Sequence, residues 1–234
     1  MANSYFRFKQ FTIQQDRCAM KVCTDSCILG AWTALRLKDA KTILDIGTGT
    51  GLLPLMLAQK TENLIDTIES DPESAVQAME NIEQSPWVNR IRVLQGDVRN
   101  FAFDSPFDFI ITNPPFFESD LRSPEKKKNK AKHDESLTLD QLAAVMVKYL
   151  QPDGALSILL PFHRTAYFEN LATNLGFFLR EKLIVRQSPA HTPFRSICLF
   201  SYQKPDDIIS DELTIKDEER KNSVAFKELM KDFY

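Results

Sequence analysis

The stretch FIITNPPFF, residues 109–117, sets an amide and two aromatic rings behind a run of apolar residues. Phe109, Ile110 and Ile111 read as a buried strand, and Pro114 and Pro115 must end it, because neither can donate to a sheet ladder. What that strand delivers is the Asn113 amide, backbone carbonyls held on a stiff turn, and the aromatic face of Phe116. Ordinary turn-making requires no such combination, so the segment is a candidate binding surface for a flat polar molecule.

A second set of residues supplies a cradle. LDIGTGTG (44–51) places Gly47, Gly49 and Gly51 on a turn between a strand and a helix, where glycine permits positive φ and lets a ligand approach the backbone. The spacing is G-x-G-x-G with Asp45 two residues before the first glycine, not the G-x-G-x-x-G of dinucleotide folds. Both features fit an S-adenosylmethionine loop better than an NAD loop. Glu69 stands at the end of the next strand, where an acidic residue accepts hydrogen bonds from ribose hydroxyls; its neighbour Asp71 is assigned to a helix cap. In QGDVRNF (95–101), Asp97 can accept from an adenine amino group while Val98 packs on the ring. One carboxylate at a strand end is ordinarily a cap or a surface residue. Acidic positions at successive strand ends, together with the glycine loop, favour a cofactor cleft.

The elements that must hold these residues alternate regularly from about residue 40 onward, as in a parallel sheet covered on both faces. Strands are expected over 41–47, 63–70, 90–97, 107–112 and 154–161, and helices over 52–60, 71–85, 138–150 and 163–175. Asp71 caps the second helix, with Pro72 at its first position. Segments 177–187 and 196–204 are expected to pair as a closing antiparallel hairpin. The polar stretch 118–137 breaks the rhythm and carries Lys126, Lys127, Lys128, Lys130 and Lys132. Such a run is ordinarily a solvated loop, but this one leaves the carboxyl end of a strand, where open α/β sheets bind ligands. The tail, 205–234, reads as an acidic linker and a short helix whose Phe226, Leu229, Met230 and Phe233 form a packing stripe.

With 234 residues, 43% hydrophobic and 26% charged, the chain has the composition of a folded globular domain, and one domain is expected. No apolar run approaches the roughly 20 residues that span a bilayer, and residues 1–16 lack a signal peptide's apolar core; a cytoplasmic protein without membrane contact is expected. Net charge is −3, so a nucleic-acid partner would have to be met by a local patch. The four cysteines, at 18, 23, 27 and 198, include no C-x-x-C pair and read as reduced thiols, with no metal site expected.

The chain resembles the class I S-adenosylmethionine-dependent methyltransferases, and NPPF (113–116) is similar to the motif of their amino-directed members. The resemblance implies a Rossmann-like, mostly parallel seven-stranded sheet with an antiparallel closing hairpin and helices on both faces. In that chemistry Asn113 Oδ1 and the Pro114 carbonyl accept the N–H groups of an exocyclic amine, returning electron density to its nitrogen. Pro115 holds the geometry, and Phe116 stacks on a base that has left its neighbours. A tighter resemblance runs through FRFKQFTIQQDRCAMKVCTDSCILGAW (6–32), NPPFF, KHDESLTL (132–139) and the terminal KDFY. It covers nearly the whole chain and points to the bacterial tRNA1(Val) adenine-N6 methyltransferases, which modify the adenine 3′ of the anticodon.

That resemblance implies an N-terminal segment, 1–40, in which Lys21 and Thr24, with Asp25, close over the methionine end of the cofactor, an α/β core over 41–204, and the tail. The lysine loop, with Arg164 and Arg195, would meet tRNA. Where family sequences usually carry glycine, this chain has Cys23 and Ser26. NPPF alone does not separate an adenine substrate from rRNA guanine-N2 or a release-factor glutamine-N5. Only about 40 residues precede the glycine loop, too few for the helical domain of the glutamine enzymes, and no recognition domain of DNA-enzyme size is present. No obligate protein partner is evident. A catalytically inactive RNA-binding scaffold would be expected to have lost Asp45, the glycines or Asn113, and all are present.

Overall fold

The computed structural model describes residues 3–18, 20–37, 40–114 and 137–234. Its sheet follows from strands that are apolar on both faces. In β3 (Thr42–Ile46) and β6 (Phe107–Thr112), Ile43, Phe109 and Ile111 enter one core cluster, while Leu44, Ile46, Phe107 and Ile110 enter the other. Alternate side chains leave a strand on opposite sides, so each of these strands has to be covered twice.

The remaining strands are β4 (Leu64–Glu69), β5 (Ile91–Gln95), β7 (Leu150–Pro161), β8 (Phe178–Arg186), β9 (Pro193–Ser201) and β10 (Ile209–Thr214). Together they form one sheet in the order β10-β8-β9-β7-β6-β3-β4-β5. All neighbours are parallel except β9, which is antiparallel to both β7 and β8 and forms the expected closing hairpin with β8. The helices α1 (Thr24–Ala34), α2 (Leu52–Ala58) and α6 (Val224–Met230) cover one face; α4 (Leu139–Tyr149) and α5 (Thr165–Asn174) cover the other. Between β4 and β5 runs α3 (Pro72–Glu83), and Asp71 caps it as expected, its Oδ2 accepting from Ser74 N at 2.8 Å.

One expectation is corrected. The sheet has eight strands rather than seven, because part of the supposed linker in 205–234 is β10, paired in parallel with β8. It is an edge strand with four exposed residues, Ile209–Glu212, and only Leu213 buried, so it lacks the apolar alternation that marks interior strands. The N-terminal segment carries a small hairpin of its own, β1 (Tyr5–Arg7) and β2 (Thr12–Gln14).

The tail stripe does pack: Phe226, Met230 and Phe233 are buried in the same cluster as Phe8, Phe11 and Ile43. Lys9 N donates to Phe233 O at 2.8 Å and Gln59 Nε2 to Asp232 O at 2.7 Å, tying the carboxyl end to the N-terminal hairpin and to the end of α2. Asn81, itself buried, joins the same hairpin to the glycine loop by donating to Gln14 O at 2.9 Å and Thr50 O at 2.8 Å. The N-terminal segment is therefore fastened beside the carboxyl edge of the sheet.

Candidate active site

In this strand order the chain winds outward from β3 in two directions, to β4 and β5 on one side and to β6 and β7 on the other. The connections that leave the carboxyl ends of β3 and β6 run in opposite directions at that reversal, and open α/β sheets place their ligand clefts there. A cavity of about 380 Å³ lies across the ends of β3, β4, β5 and β6, with Met20, Lys21, Val22 and Ser26 of the N-terminal segment among its walls.

The glycine loop forms its floor. Gly47 (φ +77°) and Gly49 (φ +54°) line the cavity, and a Cβ built on either would have no atom within 4 Å. The backbone is thus open to whatever fills the space. Gly51 (φ +81°) is instead the left-handed residue that turns the chain into α2; a Cβ there would touch Ala78 of α3 only in ordinary contact at 3.5 Å, and the residue does not line the cavity.

Glu69, at the end of β4, accepts from Gly49 N through Oε2 and from Asp71 N through Oε1, both at 2.9 Å. Asp97, just beyond β5, is held by Arg99. Its Oδ1 accepts from Arg99 N at 2.9 Å and its Oδ2 from Arg99 Nη2 at 2.6 Å. The Arg99 guanidinium holds the Asp97 carboxyl below the ordinary carboxylate range. Val98 is buried and lines the same wall.

Asp45 does not reach the cavity. It is fully buried beneath the loop, accepting from Thr67 Oγ1 at 2.9 Å through Oδ2, while Oδ1 has no hydrogen-bond partner among the described residues. Burial pushes its carboxyl up to about 6, against the pull of the nearby Thr48 and Thr67 hydroxyls. Its place is under the loop, one residue before Ile46 and two before Gly47.

The fourth wall is the end of β6. Thr112 Oγ1 donates to Ile46 O at 2.9 Å, locking the end of the strand to β3. Asn113 follows, with Nδ2 donating to Ser26 Oγ at 2.7 Å and lying 3.9 Å from Met20 Sδ. Ser26 Oγ is in turn 2.9 Å from Cys23 Sγ, whose thiol burial pushes up to about 11. Asn113 Oδ1 is buried and has no partner among the described residues. Its amide is therefore oriented through its nitrogen, and its acceptor is left unfilled at the cavity wall. Pro114 lines the cavity beside it. Pro115, Phe116 and the five lysines from Lys126 to Lys132 lie outside the described residues.

Of the other expected residues, Lys21 lines the cavity and donates through Nζ to Asn3 O at 3.1 Å. Thr24 is exposed at the start of α1 and does not line the cavity. Arg195 pairs with Asp25 at 2.9 Å, and Arg164 is exposed with its guanidinium 4.9 Å from the Tyr167 ring centroid. Ser26 and Arg99 were not anticipated. The departure from glycine at 26 and a basic residue two places after Asp97 were the available signals for them.

These groups suit S-adenosylmethionine. The glycine floor leaves room a Cβ would fill, carboxylates stand at the ends of β4 and β5, and the unfilled Asn113 acceptor adjoins them. A model of the methyltransferase small domain matches residues 31–178. The fold resembles the structure of a predicted O-methyltransferase from Agrobacterium tumefaciens, with a TM-score of 0.66 at 17% identity over 88% of this chain and 95% of that one. Fold and site thus define a class I S-adenosylmethionine-dependent methyltransferase. A curated protein of Dyadobacter fermentans, a tRNA1(Val) (adenine(37)-N6)-methyltransferase, is 44% identical over 99% of this chain and 98% of its own. One of the same name from Phocaeicola vulgatus is 39% identical over 100% and 99%. The chain belongs to the tRNA1(Val) (adenine(37)-N6)-methyltransferase family.

Proposed function

We propose that this protein methylates N6 of the adenine 3′ of the anticodon, position 37, in a valine tRNA. The observation that carries the chemistry is the buried, unpartnered Oδ1 of Asn113 beside a cavity suited to the cofactor; family membership carries the substrate. When bound, S-adenosylmethionine supplies a methyl group on a positively charged sulfur. Gly47 and Gly49 let it approach the backbone, with Glu69 placed for ribose hydroxyls and Asp97 and Val98 for adenine.

An exocyclic adenine nitrogen is a weak nucleophile, since its lone pair is delocalised into the ring. Asn113 Oδ1 and the Pro114 carbonyl accept its two N–H groups, which favours the form in which the lone pair is free to attack. Because the acceptor is fixed before substrate arrives, no reorganisation is needed at the moment of transfer. The product nitrogen then releases its proton to water. A loop base costs less to extrude than a paired one, which suits a small enzyme. Phe116 would stack on the extruded base, with Pro115 holding the turn.

Lys126, Lys127, Lys128, Lys130 and Lys132 would meet tRNA phosphates with Arg164 and Arg195, and a tRNA substrate places the work in the cytoplasm. Residues 1–234 act as a single methyltransferase domain, a reading supported by the shared core of both termini.

The test is incubation of the protein with labelled S-adenosylmethionine and total tRNA from a strain lacking its gene, followed by nucleoside analysis. N6-methyladenosine at one position of one valine tRNA is expected. Label in rRNA or a release factor instead would keep the Asn113 chemistry and overturn the substrate.

A further inference from the structure

Strands β6 and β7 do not end together. Thr112, the last residue of β6, pairs with Ile158, so Asn113 is level with Leu159. Strand β7 continues to Pro161, which pairs with Arg195 of β9. At about 3.3 Å per residue, the turn after β7 stands roughly 10 Å beyond the Asn113 level on the same carboxyl edge. The result is a ledge beside the cavity mouth.

That ledge carries exposed aromatic surface. Phe162 is 36% exposed and Tyr167, in the first turn of α5, is 43% exposed. Guanidinium groups accompany them: Arg164 lies over the Tyr167 ring at 4.9 Å, and Arg195 is 5.4 Å from the Phe194 ring centroid. Among the described residues, two acids face the same region, and both are engaged. Asp25 is paired with Arg195 at 2.9 Å, and Asp140 accepts from Tyr167 Oη at 2.7 Å. The Tyr167–Asp140 bond also brings the ledge against the first turn of α4, three residues from the cavity-lining Leu137.

We infer that Phe162 and Tyr167 form a stacking surface for an unpaired nucleotide flanking the base held at Asn113. This rests on the RNA-methylating function proposed above. Exposed aromatic rings with adjacent guanidinium groups on a net-acidic chain fit single-stranded RNA, whose bases stack on such rings while arginine meets the phosphates. A base drawn down to Asn113 leaves its neighbour at the rim, and the ledge gives that neighbour a replacement for the stack it has lost. The contact is tolerant of base identity, since every base has a π face.

The full chain would be compared with Phe162→Ala/Tyr167→Ala and with Arg164→Ala, using unmodified valine tRNA. The double variant is expected to raise the tRNA Kd at least about fivefold, with unchanged S-adenosylmethionine affinity by titration calorimetry and an unchanged slope of log Kd against log salt. Arg164→Ala is expected to reduce that slope by about one phosphate contact. Should the double variant disturb folding, Phe162→Leu and Tyr167→Leu, which keep apolar bulk and remove the ring, are expected to show most of the same loss. An unchanged tRNA Kd in the ring-deleted variants, with wild-type protein methylating tRNA, overturns the ledge alone. Wild-type protein that methylates no tRNA overturns both proposals.

Discussion

The walls of the cavity treat their polar groups in opposite ways. On the β4 and β5 side the acceptors are satisfied from within the protein: Glu69 holds Gly49 N and Asp71 N, and Asp97 is held by Arg99. On the β6 side Asn113 Oδ1 is buried with no partner among the described residues. Leaving such a group unpaired costs about 1–3 kcal/mol, a cost that folded proteins concentrate where function needs it. On the function proposed above, the first wall would hold a shape that binds, and the second would keep one acceptor waiting for a hydrogen bond that substrate supplies.

If the walls divide the work in this way, removing the waiting acceptor should have the largest effect, and should have it on turnover. Asn113→Ala is expected to lower kcat by roughly 10²–10³-fold, in the range found for deletion of a preorganised polar group that stabilises a transition state. S-adenosylmethionine affinity, measured by titration calorimetry, should move by less than about threefold. Equal losses in both would mean that Asn113 shapes the whole cavity and that the division is wrong.

The opposite signature is expected from Glu69→Ala. Two backbone N–H groups lose a charged acceptor, one of them on the glycine floor, and hydrogen bonds to charged groups contribute about 1.5–3 kcal/mol each. The cofactor Kd should rise by roughly 10–100-fold, while kcat at saturating cofactor falls far less. A collapse of kcat at unchanged Kd would place Glu69 on the reacting side.

The same contrast decides how much could be read from sequence. Gly47, Gly49, Glu69 and Asn113 were legible because a strand end and a turn demand unusual residues there, and each stands where its local pattern puts it. Asp45 and Gly51 were legible as part of the motif but not in their positions: one is buried below the loop, and the other starts α2 away from the cavity. The burial of Asp45 depends on packing between elements distant in sequence. Strand β10 was missed for a simpler reason, since an exposed edge strand carries no apolar alternation. Ser26 was legible only as a departure from glycine. Its partner Asn113 is 87 residues away, and only the fold brings the two together.

That pair provides the smallest and most discriminating test of the comparison. Ser26 Oγ accepts from Asn113 Nδ2 at 2.7 Å, which leaves Oδ1 as the atom without a partner. Without Ser26 the amide can rotate or exchange the positions of its oxygen and nitrogen, so only part of the population presents an acceptor. A neutral hydrogen bond contributes about 1 kcal/mol, so Ser26→Ala should lower kcat roughly fivefold at unchanged cofactor Kd. Taken alone, such a loss could equally arise from a loosened α1. The double variant separates the two, because residues that act through one contact are not additive. In an Asn113→Ala background, Ser26→Ala should cost almost nothing more, since no amide remains to be oriented. A further fivefold loss there would show that Ser26 supports the helix and not the acceptor.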